Sequence, residues 1–180
     1  MDEAAVVAAM REWIENAVIG LKLCPFAKAV YVKNQVRFVV SRAPHLDGFL
    51  EDLDRELDFL AAADPDEIDT TLLIHPALLP DFLDFNDFLQ LAEAALGEHG
   101  LEGVIQIASF HPRFQFEGTG PDDIGNYTNR APFPTLHLLR EASIERAVAA
   151  FPEAGTIYQR NIETLHKLGL EGWQALWRKP

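Results

Sequence analysis

Cysteine is nearly missing from this sequence: Cys24 is its only thiol. An internal disulfide and a Cys-rich zinc cluster are thereby excluded. Basic residues are scarce too. Fifteen Lys and Arg stand against 28 Asp and Glu, a formal net charge of −13. Such a chain has no general field for nucleic acid or an anionic lipid surface, although a local basic pocket stays open to it. No apolar run approaches the about 20 residues that a membrane-spanning helix needs. The start, Met1-Asp2-Glu3, is acidic where a secretory leader is basic. These gaps predict a soluble, cytoplasmic protein without nucleic-acid or membrane partners. What remains is ordinary globular material. A chain of 180 residues, 48% hydrophobic and 24% charged, has the length and composition of a single domain over 1–180.

Val6, Met10, Trp13, Ala17 and Leu21 recur at helical spacing and predict an N-terminal helix. Ala29–Val32 and Gln35–Val40 are β-branched runs on either side of Lys33-Asn34, which reads as a hairpin. Leu46, Phe49, Leu50, Leu53, Leu57 and Leu60 line one face of a helix over 46–63, with acidic residues on its solvated face. Short apolar strands are expected at 70–74 and 104–108, with a helix over 82–97 between them. Pro112 to Phe133 has no period; a loop of about 20 residues in a compact domain is either functional or the sign of a misassigned element. Helices are expected near 134–150 and 156–169. The expected class is α/β, with α+β as the alternative. It has a small mixed sheet of about four strands, a parallel β-α-β-α-β core with right-handed crossovers, an N-terminal helix and two C-terminal helices. The first strand joins antiparallel through its hairpin.

Ligands of open α/β sheets sit beyond the carboxyl ends of the parallel strands. Those ends carry Ser41-Arg42, His75-Pro76 and Ser109-Phe110-His111-Pro112. The hairpin would bring Cys24 to the same edge. The long loop leaves from there with Asp122, Asp123, Asn126, Asn129 and Arg130, and His137 follows within a helical turn. A His-Pro pair can also end a strand for steric reasons alone, since proline restricts its predecessor. Cys24 can be a small buried hydrophobe. Asp123, Asn126 and Asn129 can bond to loop backbone. Arg130, just before a helix start, has the character of an anion clamp. Cys24-Pro25-Phe26-Ala27 also resembles half of a glutaredoxin motif, whose cysteine opens a helix. Here a strand is expected to follow.

The runs Gly20–Ala27, Asp84–Phe88, Phe110-His111-Pro112 with Gln115-Phe116, Asn126–Arg130 with Pro132–Glu141, and Asn161–Leu165 resemble the bacterial and plant family catalogued as domain of unknown function 1415. The resemblance covers nearly the whole chain, and Asn126–Glu141 is its most specific part. It implies a domain boundary and lends weight to Cys24, His111, Asn129, Arg130 and His137, but no reaction.

Three readings follow. In the first, an enzyme acts on a small anionic metabolite: His111 is general acid/base, Cys24 nucleophile or polar wall and His137 a further catalytic group. Arg130 and Arg42 then hold the substrate anion, with Asn126, Asn129 and Asp123 lining the site. In the second, Cys24, His75 and His111 hold a metal, zinc being the natural choice, completed by Asp122 or Asp123. No close-spaced ligand pair supports it, and no other cofactor is evident. In the third, the domain binds a small ligand or a partner without catalysis.

Overall fold

A computed structural model describes residues 2–178. The first helix, α1 (Glu3–Trp13), runs into a π-helical turn over Ile14–Ile19. It stops where Lys22 turns to φ +56°, with the Lys22 and Leu23 N–H groups donating back to the Ile19 and Val18 carbonyls. That is a Schellman cap, satisfying carbonyls the helix leaves orphaned. Next come α2 (Ala27–Val32), β1 (Val36–Val40), α3 (Leu46–Ala62), β2 (Thr70–Ile74), α4 (Phe82–Glu98) and β3 (Ile105–Phe110). A 3-10 helix over Ile124–Asn129 interrupts the long loop. Then follow β4 (Thr135–Arg140), α5 (Glu141–Ala150) and α6 (Ile157–Ala175), which Gly169 breaks at φ +67°.

The four strands form one mixed sheet in the order β1-β2-β4-β3. β1 and β2 are parallel, and β4 runs antiparallel to both β2 and β3. β1, β2 and β3 therefore point the same way, as expected. The sheet lies between two apolar layers. On one face α3 and α4 press Phe49, Leu53, Leu57, Phe85 and Phe88 onto Leu73, Leu136 and Leu138. On the other, α1 and α6 press Met10, Trp13, Leu165 and Trp173 onto Leu72 and Ile74. Each such large side chain taken fully out of water contributes about 1.5–3 kcal/mol. Leu57, at 0% exposure, is a position where truncation to Ala opens a void.

Two expected elements are corrected. Residues 29–32 belong to helix α2, not to a hairpin strand. The Asn34 and Gln35 N–H groups donate to the Tyr31 and Val30 carbonyls, and Asn34 takes φ +57°. This is again a Schellman cap, and left-handed Asn serves a hairpin turn and a helix end equally well. Residues 135–140 form a strand rather than the first turns of a helix. β4 is covered on both faces, so it shows no polar alternation. Its Leu-rich sequence also runs straight into α5 with no turn residue between them. The inserted β4 makes β2-α4-β3 a split β-α-β unit.

Candidate functional site

The carboxyl ends of β1, β2 and β3 do share an edge, and the polar residues there are joined through backbone. His75 donates Nε2–H to the Ala43 carbonyl at 2.9 Å, while its Nδ1 accepts from the Ala77 and Leu78 N–H groups at 3.2 and 2.8 Å. His111 donates Nε2–H to the Leu79 carbonyl at 2.9 Å and accepts the Arg113 N–H at Nδ1 at 3.0 Å. Both rings are buried and neutral, because burial pushes their pKa values down. His75 meets Phe49 edge-on, and His111 lies against Phe82 and Phe85. Both therefore belong to the α3/α4 face. The apolar turn after His75 lacks polar side chains, yet its backbone amides occupy the imidazole. Leu79 holds φ +57°, a strained conformation for a leucine, and His111 holds its carbonyl.

The long loop is organised by the residues expected to bind an anion. Arg130 donates Nε–H to the Phe114 carbonyl at 3.1 Å and Nη2–H to the Pro121 carbonyl at 2.6 Å, with its guanidinium 4.3 Å from the Tyr127 ring centre. Asn126 is fully buried, accepting the Phe116 N–H and donating to the Gly120 carbonyl. Asp123 caps the 3-10 helix by accepting the Gly125 N–H. Asn129 offers its carbonyl to the His111 N–H. Arg42 is exposed and pairs with Glu3 at 3.0 Å. Arg130 also lines a cleft of about 310 Å³ with Glu12, Pro112, Trp173 and Trp177.

Cys24 and His137 come together elsewhere, on the opposite face of the sheet. They line a cavity of about 330 Å³ roofed by the π-helical turn, α2 and α5 and floored by β1, β2 and β4. Its walls are largely apolar: Trp13, Ile14, Phe26, Val30, Phe110 and Ile144 among them. The Thr70 hydroxyl donates to the Leu138 carbonyl at 2.6 Å, so its oxygen accepts from His137 Nε2–H at 2.8 Å. That fixes the Nε2–H tautomer and leaves Nδ1 as an acceptor. Among the described residues Nδ1 takes no partner, and the one sealed side-chain polar atom without one is Thr71 Oγ1. Nδ1 therefore opens into the cavity. Burial drives the His137 pKa down to about 4. At one end of the cavity the Ser143 hydroxyl donates to Asp69 at 2.6 Å. Burial pushes the Cys24 thiol up, against the N–H groups of Phe26 and Ala27. A helix does follow Cys24, contrary to the expectation of a strand, but it is six residues long.

The expected cluster is thus divided by the sheet. His75 and His111 lie on one face and Cys24 and His137 on the other, so the metal set of Cys24, His75 and His111 is not assembled. No group of three or more His, Cys, Asp or Glu that could hold a metal occurs among the described residues. No helix there is long and apolar enough to cross a membrane. Sequence reasoning missed Thr70, and it read Trp13 only as part of a helical stripe. Thr70 becomes visible only once β4 is read as a strand, because the pairing of Leu72 with His137 sets the two residues within reach.

Comparison with curated proteins and with solved structures gives no match. The family profile described as "Protein of unknown function (DUF1415)" matches residues 5–175. That span contains both strands of the Thr70–His137 contact, the Cys24 segment and the whole long loop, and the chain belongs to this family.

Proposed function

We propose that the chain binds a small, mostly apolar molecule in the cavity beneath α2 and α5, and that His137 orients it. The observation that carries this reading is the bare Nδ1 of His137 in the largely apolar wall of a cavity of about 330 Å³. Ligand sites commonly have this make-up, a large apolar lining with few polar groups placed to fix orientation. Binding is favoured over nucleophilic catalysis. A thiol raised by burial holds little thiolate at neutral pH, and an imidazole titrating near 4 is a weak base there. A free thiol in the wall suits a reducing compartment, which supports a cytoplasmic location. The test is to fill the cavity from α5 with Ala147→Phe. Wild type should gain thermal stability from small aromatic solutes and the variant should not. Equal gains in both proteins would put the solutes elsewhere and sink the reading.

A second reading, an anionic ligand, is favoured by the placement of Arg130 in the wall of the smaller cleft. Sulfate or phosphate should then stabilise wild type more than Arg130→Gln. A gain of equal size in both would be a general salt effect.

A further inference from the structure

We propose that the ligand of this cavity is a neutral, fused-ring aromatic molecule presenting one N–H or O–H donor to His137 Nδ1. The inference rests on the cavity being the binding site and adds the ligand's class. Its argument begins with Thr70. The hydroxyl proton of that residue goes to the Leu138 carbonyl, so the imidazole is the donor in the Thr70–His137 contact. The ring has a single N–H in its neutral form, and Thr70 takes it. Nδ1 can then only accept, and a ligand must donate to it.

Charge selects next. Asp69 lies at the cavity wall, held by Ser143. A carboxylate or phosphate in the cavity would face this negative group and a ring nitrogen lone pair. Among the described residues no Lys or Arg lines the cavity, and Arg130, the arginine of the long loop, bonds instead to the Phe114 and Pro121 carbonyls. Entry of an anion into this largely apolar volume would leave its charge unpaired, which is costly. The low pKa of His137 supports the same conclusion, since the ring stays neutral across the physiological range.

Shape selects last. Trp13 and Phe110 meet edge-to-face at 5.0 Å, and Phe110 tilts against His137 at 5.8 Å. With Phe26 and Tyr31 these rings line the volume, and aromatic faces prefer aromatic partners in offset or edge contact. A dry cavity of about 150 Å³ accepts benzene. One of about 330 Å³ has room for a bicyclic ring.

The test uses indole, 1-methylindole and indole-3-carboxylate, titrated by calorimetry against wild type, His137→Leu and Thr70→Val. 1-Methylindole replaces the N–H donor of indole with N–CH3, and the His137→Leu variant controls for the added methyl group. Wild type should bind indole about tenfold more tightly than 1-methylindole, the value of one well-made hydrogen bond. Indole-3-carboxylate should bind weakest. His137→Leu should bind the two neutral compounds alike. Thr70→Val should narrow the gap, since the tautomer is then no longer fixed. Equal binding of the two neutral compounds to wild type would overturn the donor rule while leaving the cavity as a binding site. Tightest binding of the carboxylate would replace this class with an anion. Binding of none of the three would remove the cavity reading itself.

Discussion

The two faces of the sheet treat histidine in opposite ways. On the α3/α4 face, His75 and His111 each have both nitrogens bonded to backbone. On the other face, His137 has one nitrogen bonded to Thr70 and one open to the cavity. A strand end, a proline and an imidazole look the same in sequence whether the ring is a structural tie or a ligand contact. The difference lies in how many of its nitrogens the protein itself uses. By that measure the α3/α4 face is closed and the α2/α5 face is where a small molecule finds an unmet hydrogen bond.

The sharpest way to break the comparison is to remove each ring. His111→Leu leaves the Leu79 carbonyl and the Arg113 N–H without their partner, and His75→Leu leaves three backbone groups so. Each unsatisfied buried group costs about 1–3 kcal/mol, so either variant should lose roughly 3–5 kcal/mol. That corresponds to a Tm lower by about 10 °C in a chain of this length. His137→Leu should lose far less and change ligand binding instead. A fall from His137→Leu as large as that from His111→Leu would erase the distinction between the faces.

Acid sharpens it next. All three rings have pKa values held below the ordinary 6.5 by burial. They are neutral in the fold, whereas the unfolded chain binds protons near 6.5. Their part of the stability is complete above that pH and is lost as pH falls from 6.5 towards their folded values. For His137, titrating near 4, the loss is at most about 3 kcal/mol. His99 acts in the opposite sense. Its two aspartate partners, Asp58 and Asp54, raise its pKa. That contribution is full below 6.5 and fades as pH rises through the folded value, and solvent screens it. Tm measured from pH 7 to 4 should therefore fall, and fall less steeply in His137→Leu. Equal slopes would mean that burial does not lower the His137 pKa.

A smaller effect is expected from Arg130→Ala, which removes two hydrogen bonds to loop carbonyls and the stack on Tyr127. About 2 kcal/mol should be lost, with a Tm lower by several degrees. Arg130→Lys should recover little, because an ammonium lacks the planar fork that spans both carbonyls. No change in Tm would mean that the loop keeps its shape without the guanidinium. Smallest of all is Arg42→Ala. Its pair with Glu3 is exposed, and the change should stay within about 0.5 kcal/mol.

Much of the fold could be read from the chain. The leucine stripe of α3, the apolar runs of β2 and β3 and the helix between them appear where periodicity places them. The two misread elements share a cause. α2 is short and rich in β-branched residues, and β4 is rich in leucine, so local propensity points the wrong way in both. The site suffered more, because a strand's parity decides which face a side chain enters. Reading β4 as helix hid the fact that His137 lies on the face opposite Leu136 and Leu138. Cys24 and His137 line one cavity, whereas His111, expected beside them because its strand ends at the same edge, lies on the other face.

The turn between β2 and α4 has a consequence for motion. His75 holds the Ala77 and Leu78 amides from one side, and His111 holds the Leu79 carbonyl from the other. His75 also reaches Ala43 after β1, and His111 reaches Arg113 in the long loop. Three crossings separated in sequence are thereby laced into one body. Opening any of them breaks bonds of its neighbour, so they fluctuate as a cooperative unit rather than as independent flaps. In hydrogen exchange, the Ala77, Leu78 and Arg113 amides should open with similar free energies, and His111→Leu should loosen all three together.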